Sequence, residues 1–426
     1  MHELKIRITH NWLDTFILCL MLYYVLFGIW SGVGINQIQS VIICLCIVRS
    51  LFYYIKARKL YSQTVLYIVA LVVLFCFNYL AHNDNSLFWD NMSYIIGCWA
   101  VVVYVTILLK SEEKWLEKFL VCISRVVNVY MCINIIVMFL QLNESYFLID
   151  KSRIPSVVYY PDYIAGFFGI NGTHRLTLFC ILFICLNMYV YKFKKVKYYK
   201  RIPLFVLLIS LLLFALSTQN DNNTFFILYP LFALFLYSIL YTIDYKRIGK
   251  LCLCVLGGII ALAVVVSTNG DLLKAIGNRF GDIIQVYIFR NKNVWDERTE
   301  LMTYALVHGK GYFLGSGIGS IKIYSDTRIS SHWGMNSLMT FTYFMGIVPL
   351  FLYAALHTLM LTSSISDHAE RTKLTIRIGM IILFMLVVQY CQVLSEINLM
   401  ILFTLVISVF VLSANKLYTE KNKDVQ

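Results

Sequence analysis

Charge is what this sequence has least of. Asp, Glu, Lys and Arg make up 14% of its 426 residues, against about 25% in soluble domains. Apolar residues make up 60% and the mean hydropathy is +0.73. That scarcity excludes an ordinary soluble fold and points to the membrane class, in which each span takes about 20 apolar residues. Nucleic acid is excluded as a partner despite the net charge of +13. The basic residues lie in short runs between apolar segments, with no RRM, KH or zinc-finger spacing beside them. The twelve cysteines all fall in or at the ends of apolar segments and none in a large loop, which argues against a disulfide framework or a metal site. The pairs Cys44-Leu45-Cys46 and Cys252-Leu253-Cys254 sit on predicted spans, where packing accounts for them. No cleavable signal is evident, and the first apolar run is long enough to remain in the bilayer as an anchor. Chains of Asp, Glu or His that mark proton or ion pathways are missing from the spans. The two halves also lack the paired broken helices of inverted-repeat carriers.

What is present is a series of long apolar runs. They predict an all-α, polytopic transmembrane helical bundle of about 12 spans, near 13–30, 36–55, 64–81, 92–109, 119–141, 174–191, 202–217, 223–242, 250–267, 335–362, 374–394 and 397–415. Irregular backbone cannot face lipid, so each run should be a helix. The whole chain, 1–426, reads as a single integral membrane domain.

Basic residues set the orientation. With the N-terminus inside, cytoplasmic segments carry 24 of the 36 Lys and Arg, including Arg49, Lys56, Lys110, Lys192, Lys246, Arg371 and Lys416. The short turns on the opposite side carry none. This is the positive-inside pattern, and twelve spans return the C-terminus to the cytoplasm.

Eleven basic residues fall on the other side, all in two segments, roughly 142–175 and 268–334. Long outer loops translocate regardless of charge. Arginine nevertheless outnumbers lysine there, with Arg153, Arg175, Arg279, Arg290, Arg298 and Arg328, and arginine grips phosphate bidentately. The large loop 268–334 carries apolar positions at helical spacing (Leu272, Leu273, Ile276, Phe280, Ile283, Ile284, Tyr287, Ile288), which predicts amphipathic helices lying over the mouth of the bundle. Arg279 and Arg290 stand eleven residues apart, three helical turns, so both can share one face. They serve either a phosphate-bearing ligand or a structural cap through pairing with Asp282, Glu297 or Glu300.

The run Gly311-Tyr312-Phe313-Leu314-Gly315-Ser316-Gly317-Ile318-Gly319 lacks the lysine of a P-loop and follows no strand, so a tight turn re-entering the membrane surface is expected rather than a nucleotide site. The loop closes on Ser331-His332-Trp333-Gly334-Met335-Asn336-Ser337. His332 is either a proton acceptor at the membrane mouth or a structural histidine. In the shorter segment, Tyr159, Tyr160, Asp162 and Tyr163 suit either a sugar surface or an interfacial aromatic belt. Glu396, in the turn Ser395-Glu396-Ile397-Asn398, is the exposed-side acid of interest.

Three groups of residues resemble the O-antigen polymerase and ligase superfamily of bacterial surface-polysaccharide assembly. They are Arg153 with Gly166-Phe167-Phe168-Gly169-Ile170-Asn171; Arg298 with Tyr304-Ala305-Leu306 and Gly315-Ser316-Gly317-Ile318-Gly319; and His332 with Asn336-Ser337 and Gly346. In the ligases the histidine directly precedes the polar residue of that last group. Here Met335 fills that slot and His332 lies one turn earlier, a departure that favours a polymerase.

The resemblance implies glycosyl transfer at the outer face of the cytoplasmic membrane, without nucleotide sugars, cofactor or metal. A growing glycan on undecaprenyl pyrophosphate would be the donor, and a hydroxyl of another lipid-linked oligosaccharide repeat unit the acceptor. Arg153, Arg175, Arg279, Arg290 and Arg298 would neutralise the pyrophosphate, Asn336 would contact substrate, and His332 or Glu396 would act as base. The implied partners are the lipid-linked oligosaccharide, membrane lipid and a chain-length regulator protein. A ligase-type glycan transferase and, from another class, a flippase or exporter of lipid-linked sugars remain the alternatives.

Overall fold

The computed structural model describes residues 2–27, 35–57, 62–83, 85–143, 147–148, 164–169, 172–194, 201–220, 222–241, 305–306, 312–321, 337–365 and 370–423. Among them the regular structure is helical throughout. The helices are α1 (His2–Phe27), α2 (Ile35–Ala57), α3 (Ser62–Ala81), α4 (Phe88–Ser111), α5 (Glu113–Asn143), α6 (Thr173–Phe193), α7 (Ile202–Ser217), α8 (Asn223–Leu240), α9 (Ser337–Met345), α10 (Ile347–Leu361), α11 (Glu370–Tyr390) and α12 (Ile397–Lys423). Short 3₁₀ turns occupy Gly166–Phe168 and Thr362–Ser364.

Eight helical stretches among the described residues are long and apolar enough to cross a membrane: Gln37–Lys56, Ser62–Ala81, Phe88–Ser111, Glu113–Asn143, Thr173–Phe193, Ile347–Ser364, Lys373–Tyr390 and Ile397–Thr419. Their outward faces are apolar as well. Val48, Leu51 and Ile55 on α2, Val69, Val73 and Leu80 on α3, Val129 and Ile136 on α5, and Leu204 and Leu208 on α7 are all exposed. A water-soluble bundle would not leave such stripes open. The chain is a multi-pass, all-α membrane protein.

The helices divide into two compact units, Met1–Val126 with Leu301–Gln426, and Val127–Glu300, the division falling within α5. In the first unit α4 and α12 form the centre, buried along most of their length and packed on each other, with α1, α2 and α10 around them. By contrast, α3 buries one stripe, Thr64, Tyr67, Leu71, Phe75 and Asn78, at helical spacing. In the second unit α6 is the buried centre and packs on α8 and α7.

Two expectations are corrected. The apolar run 335–362 is two helices, not one span, because Gly346 breaks it with φ 91° and ψ 158°. Pro349 stands in the first turn of α10, where its missing N–H costs no helical bond. Arg49, counted with the cytoplasmic charges, is a helix residue with an internal partner rather than a loop charge. It lies within α2, 5% exposed, against a fully buried Asp14. The predicted span near 250–267 and nearly all of the loop 268–334 lie outside the described residues.

Candidate functional site

Each unit holds a segment of non-helical backbone, and both belong to the motifs singled out in the sequence. In the second unit that segment is Ile164 to Gly169. Gly166 and Gly169 adopt φ 65° and 72°, a region that favours glycine. Three carboxamides satisfy the exposed main chain. Gln141 accepts from Gly166 N at 2.8 Å and donates to Gly166 O at 3.2 Å. The Oδ1 of Asn134 accepts from Phe167 N at 2.8 Å, and Asn220 donates to Ile164 O at 2.8 Å. The close approach explains the glycine, since a Cβ on Gly166 would lie 2.2 Å from Asn134 Oδ1. Tyr130 and Phe179 pack their rings against Phe168.

Deeper in the same unit, Asn128 and Asn187 exchange two amide bonds of 3.0 and 2.8 Å. Thr177 donates to Asn222, whose Oδ1 also caps α8 by accepting from Phe225 N. Buried amides in an apolar setting need such partners, because each unpaired group carries its full desolvation cost.

The first unit handles its glycine run differently. Residues 312–321 dock onto the break at Gly346. Ser316 N and Gly317 N donate to Tyr343 O and Phe344 O at 2.6 and 2.9 Å. Those carbonyls end α9 and would otherwise be orphaned by the break. Val348 N, at the start of α10, donates to Tyr312 O at 3.1 Å. The run is therefore a tight turn, as expected from its sequence, and the N–H groups of Ser316, Gly317 and Ser320 are engaged with backbone carbonyls.

Side chains from α3 and α4 complete the attachment. Asn78 donates to Phe344 O and accepts from Ile318 N, both at 3.0 Å, while Asn91 donates to Ile318 O and Ile321 O at 2.5 and 2.7 Å. His82, just beyond α3, bridges Asn78 O and Gly315 O. Gly315 is required because a Cβ there would lie 2.4 Å from Phe344 C.

Of the proposed site residues, Glu396 and Arg175 are described. Glu396 sits in a turn between α11 and α12 that Ser337 ties to the start of α9. Ser337 N donates to Cys391 O at 2.9 Å, and Leu394 N donates to Ser337 Oγ at 3.0 Å. Glu396 N donates to Gln392 O at 2.9 Å, and Glu396 O receives Met400 N at 3.0 Å. The structure thus ties the turn that contains Glu396 to Ser337, the first described residue after the His332–Asn336 segment. An acid immediately before α12 also complements the positive end of that helix, so Glu396 has a structural role available.

Arg175 lies in the first turn of α6, half-buried, a few residues after the Gly166–Gly169 turn. A cation there opposes the helix macrodipole, so helix stability does not account for it. Arg153, Arg279, Arg290, Arg298, His332 and Asn336 lie outside the described residues. Among the described residues no three of His, Cys, Asp and Glu gather as a metal site.

Two polar features escaped the sequence reading. Asp14 and Arg49 form a bidentate pair, Nε to Oδ1 at 2.9 Å and Nη2 to Oδ2 at 2.6 Å. The hydroxyls of Tyr53 and Tyr104 complete it with bonds to Asp14 at 2.8 and 3.0 Å. The pair joins α1, α2 and α4. Its only sequence signal was an acid inside an apolar run. The second is His357, fully buried on α10, whose Nδ1 bonds to Tyr353 O at 3.0 Å and whose ring packs edge-on to Tyr67.

No protein-family model and no curated protein matches the chain.

Proposed function

We propose that the chain polymerises undecaprenyl-pyrophosphate-linked oligosaccharide repeat units into surface polysaccharide at the outer face of a bacterial cytoplasmic membrane. In this reading it has twelve spans and both termini are cytoplasmic. The glycine turns and the loop 268–334 then lie on the outer side. The reducing-end pyrophosphate of the growing glycan leaves as the acceptor hydroxyl of an incoming unit attacks the anomeric carbon, and a base takes the hydroxyl proton. Arg153, Arg175, Arg279, Arg290 and Arg298 are assigned to the pyrophosphate, Asn336 to substrate, and His332 or Glu396 to the proton.

The resemblance carries most of this reading. The observation that best supports it is Arg175, a cation at a helix position that disfavours cations, a few residues after the glycine turn of the motif that carries the resemblance. The exporter alternative draws on the helix break at Gly346, since broken helices bind solutes in carriers. The freed carbonyls Tyr343 O and Phe344 O are already bonded to Ser316 and Gly317, which weighs against it.

Deleting the gene and sizing surface glycan on a gel tests the proposal. Capping by a single repeat unit, with attachment intact, is the expected result. Loss of all surface glycan with full chains on the carrier lipid would establish a ligase, and repeat units trapped on the inner leaflet would establish an exporter. Arg175→Ala and Arg298→Ala are each expected to lower chain extension about a hundredfold at normal protein level, the scale of a lost transition-state contact. Long chains retained by either variant would remove that arginine from the site.

A further inference from the structure

His82 makes two hydrogen bonds that a neutral imidazole cannot make together. Its Nδ1 lies 2.8 Å from Asn78 O and its Nε2 lies 3.0 Å from Gly315 O. Both partners are main-chain carbonyls, which only accept. A neutral ring carries one N–H, so it would satisfy one carbonyl and turn a lone pair on the other. Only the imidazolium donates to both. We infer that His82 is a proton-operated clamp: bound to a proton it pins the 312–321 turn to the end of α3, and on losing it releases one of the two attachments.

The setting suits a cation. Asn78 O belongs to the last turn of α3, the negative end of that helix. The ring is partly exposed, so its charge keeps some hydration. It is also packed closely, since a Cβ on Gly317 would come within 2.8 Å of His82 Cγ. That contact holds the imidazole between its two acceptors.

The titratable groups on the surrounding elements are Cys76 and Tyr79 on α3, Tyr312 in the turn, Tyr343 near the end of α9, and the exposed Asp90 in the first turn of α4. The thiol and the phenols are ordinarily neutral near pH 7. Asp84 and Lys310 lie outside the described residues. Histidine is therefore the group here that changes charge in the neutral range.

The sign follows from the donor count. The clamp is complete when the ring carries both protons and weakens when one is removed. What it holds matters, because the turn supplies the N–H groups that cover Tyr343 O and Phe344 O at the helix break. It also leads into the segment bearing Arg328, His332 and Asn336. The inference rests on hydrogen-bond geometry and stands or falls apart from the polymerase reading.

The test uses the full-length protein in lipid nanodiscs with ring-¹⁵N histidine. One doubly protonated ring signal, lost in His82→Gln, is expected at pH about 5.5, the acid end of the exchange series. Amide exchange of a peptide covering 312–321, corrected for intrinsic rates, should be about tenfold more protected at pH about 5.5 than at about 8, the scale of a charge-assisted bond. In His82→Gln the corrected protection should not change with pH. A singly protonated His82 ring with the turn still protected, or pH-independent protection in the wild type, would overturn the clamp. The wild-type profile decides the matter even if His82→Gln does not fold.

Discussion

The two units solve the same problem with different chemistry. Each carries a glycine turn beside its helices, with main-chain groups that the regular helical ladder does not pair. In Val127–Glu300 the polar groups holding the turn are neutral carboxamides: Asn134, Gln141 and Asn220. The other unit adds an ion pair and an imidazole to its amides. It has the Asp14–Arg49 pair at its core and His82 at its glycine turn. Its turn also mends a broken helix, whereas the Gly166 turn serves no break among the described residues. Amides set a fixed geometry that is indifferent to pH. A histidine between two carbonyls makes the attachment conditional.

The largest expected effect tests the charged side of that contrast. Arg49→Ala leaves Asp14 buried and unpaired, which should cost about 3–5 kcal/mol. Loss of folded protein, or a sharp drop in thermal stability in detergent, is the expected readout. A near-neutral variant would mean that the pair contributes no more than the amides do.

The next test separates the turns by what their glycines touch. Gly315→Ala drives a Cβ into main-chain atoms of Tyr343, Phe344 and Met345, which cannot rotate away. Gly166→Ala meets the side chain of Asn134, which can turn aside once its bond to Phe167 N is given up. With left-handed strain in both, about 3 kcal/mol is expected at Gly315 and about 2 kcal/mol at Gly166. A reversed order in thermal stability would undo the distinction.

The smallest pair compares amides. Gln141→Ala strands the N–H of Gly166, whose carbonyl keeps its bond from Gly169 N, and should cost about 2 kcal/mol. Asn91→Ala removes a donor shared by two carbonyls, for about 1 kcal/mol. Equal losses in chemical-denaturation midpoints would count against this ranking.

Much of the fold was legible because a helix in lipid is a local decision. The apolar runs near 64–81, 92–109 and 202–217 match α3, α4 and α7 within a few residues. The run 335–362 did not, since hydropathy averages over a break. Gly346 and Pro349 were visible, but a glycine and a proline in an apolar run do not by themselves say that the backbone freed there will find partners. Of the candidate site, the sequence located the glycine turns and Glu396 as features, yet not what holds them. It also grouped Arg49 with the cytoplasmic-side charges and missed its partner, because nothing local distinguishes a basic residue near a span end from one paired inside the bundle.

What the sequence alone determined is that this chain lives in a bilayer as many helices, because twenty apolar residues in a row leave the backbone no other way to satisfy itself there. Tertiary structure decided where that rule could be relaxed. Gln141 meets Gly166, 25 residues away, and Asn78 meets Ile318, 240 residues away. At both glycine turns, distant side chains supply hydrogen bonds that a regular helix would have supplied.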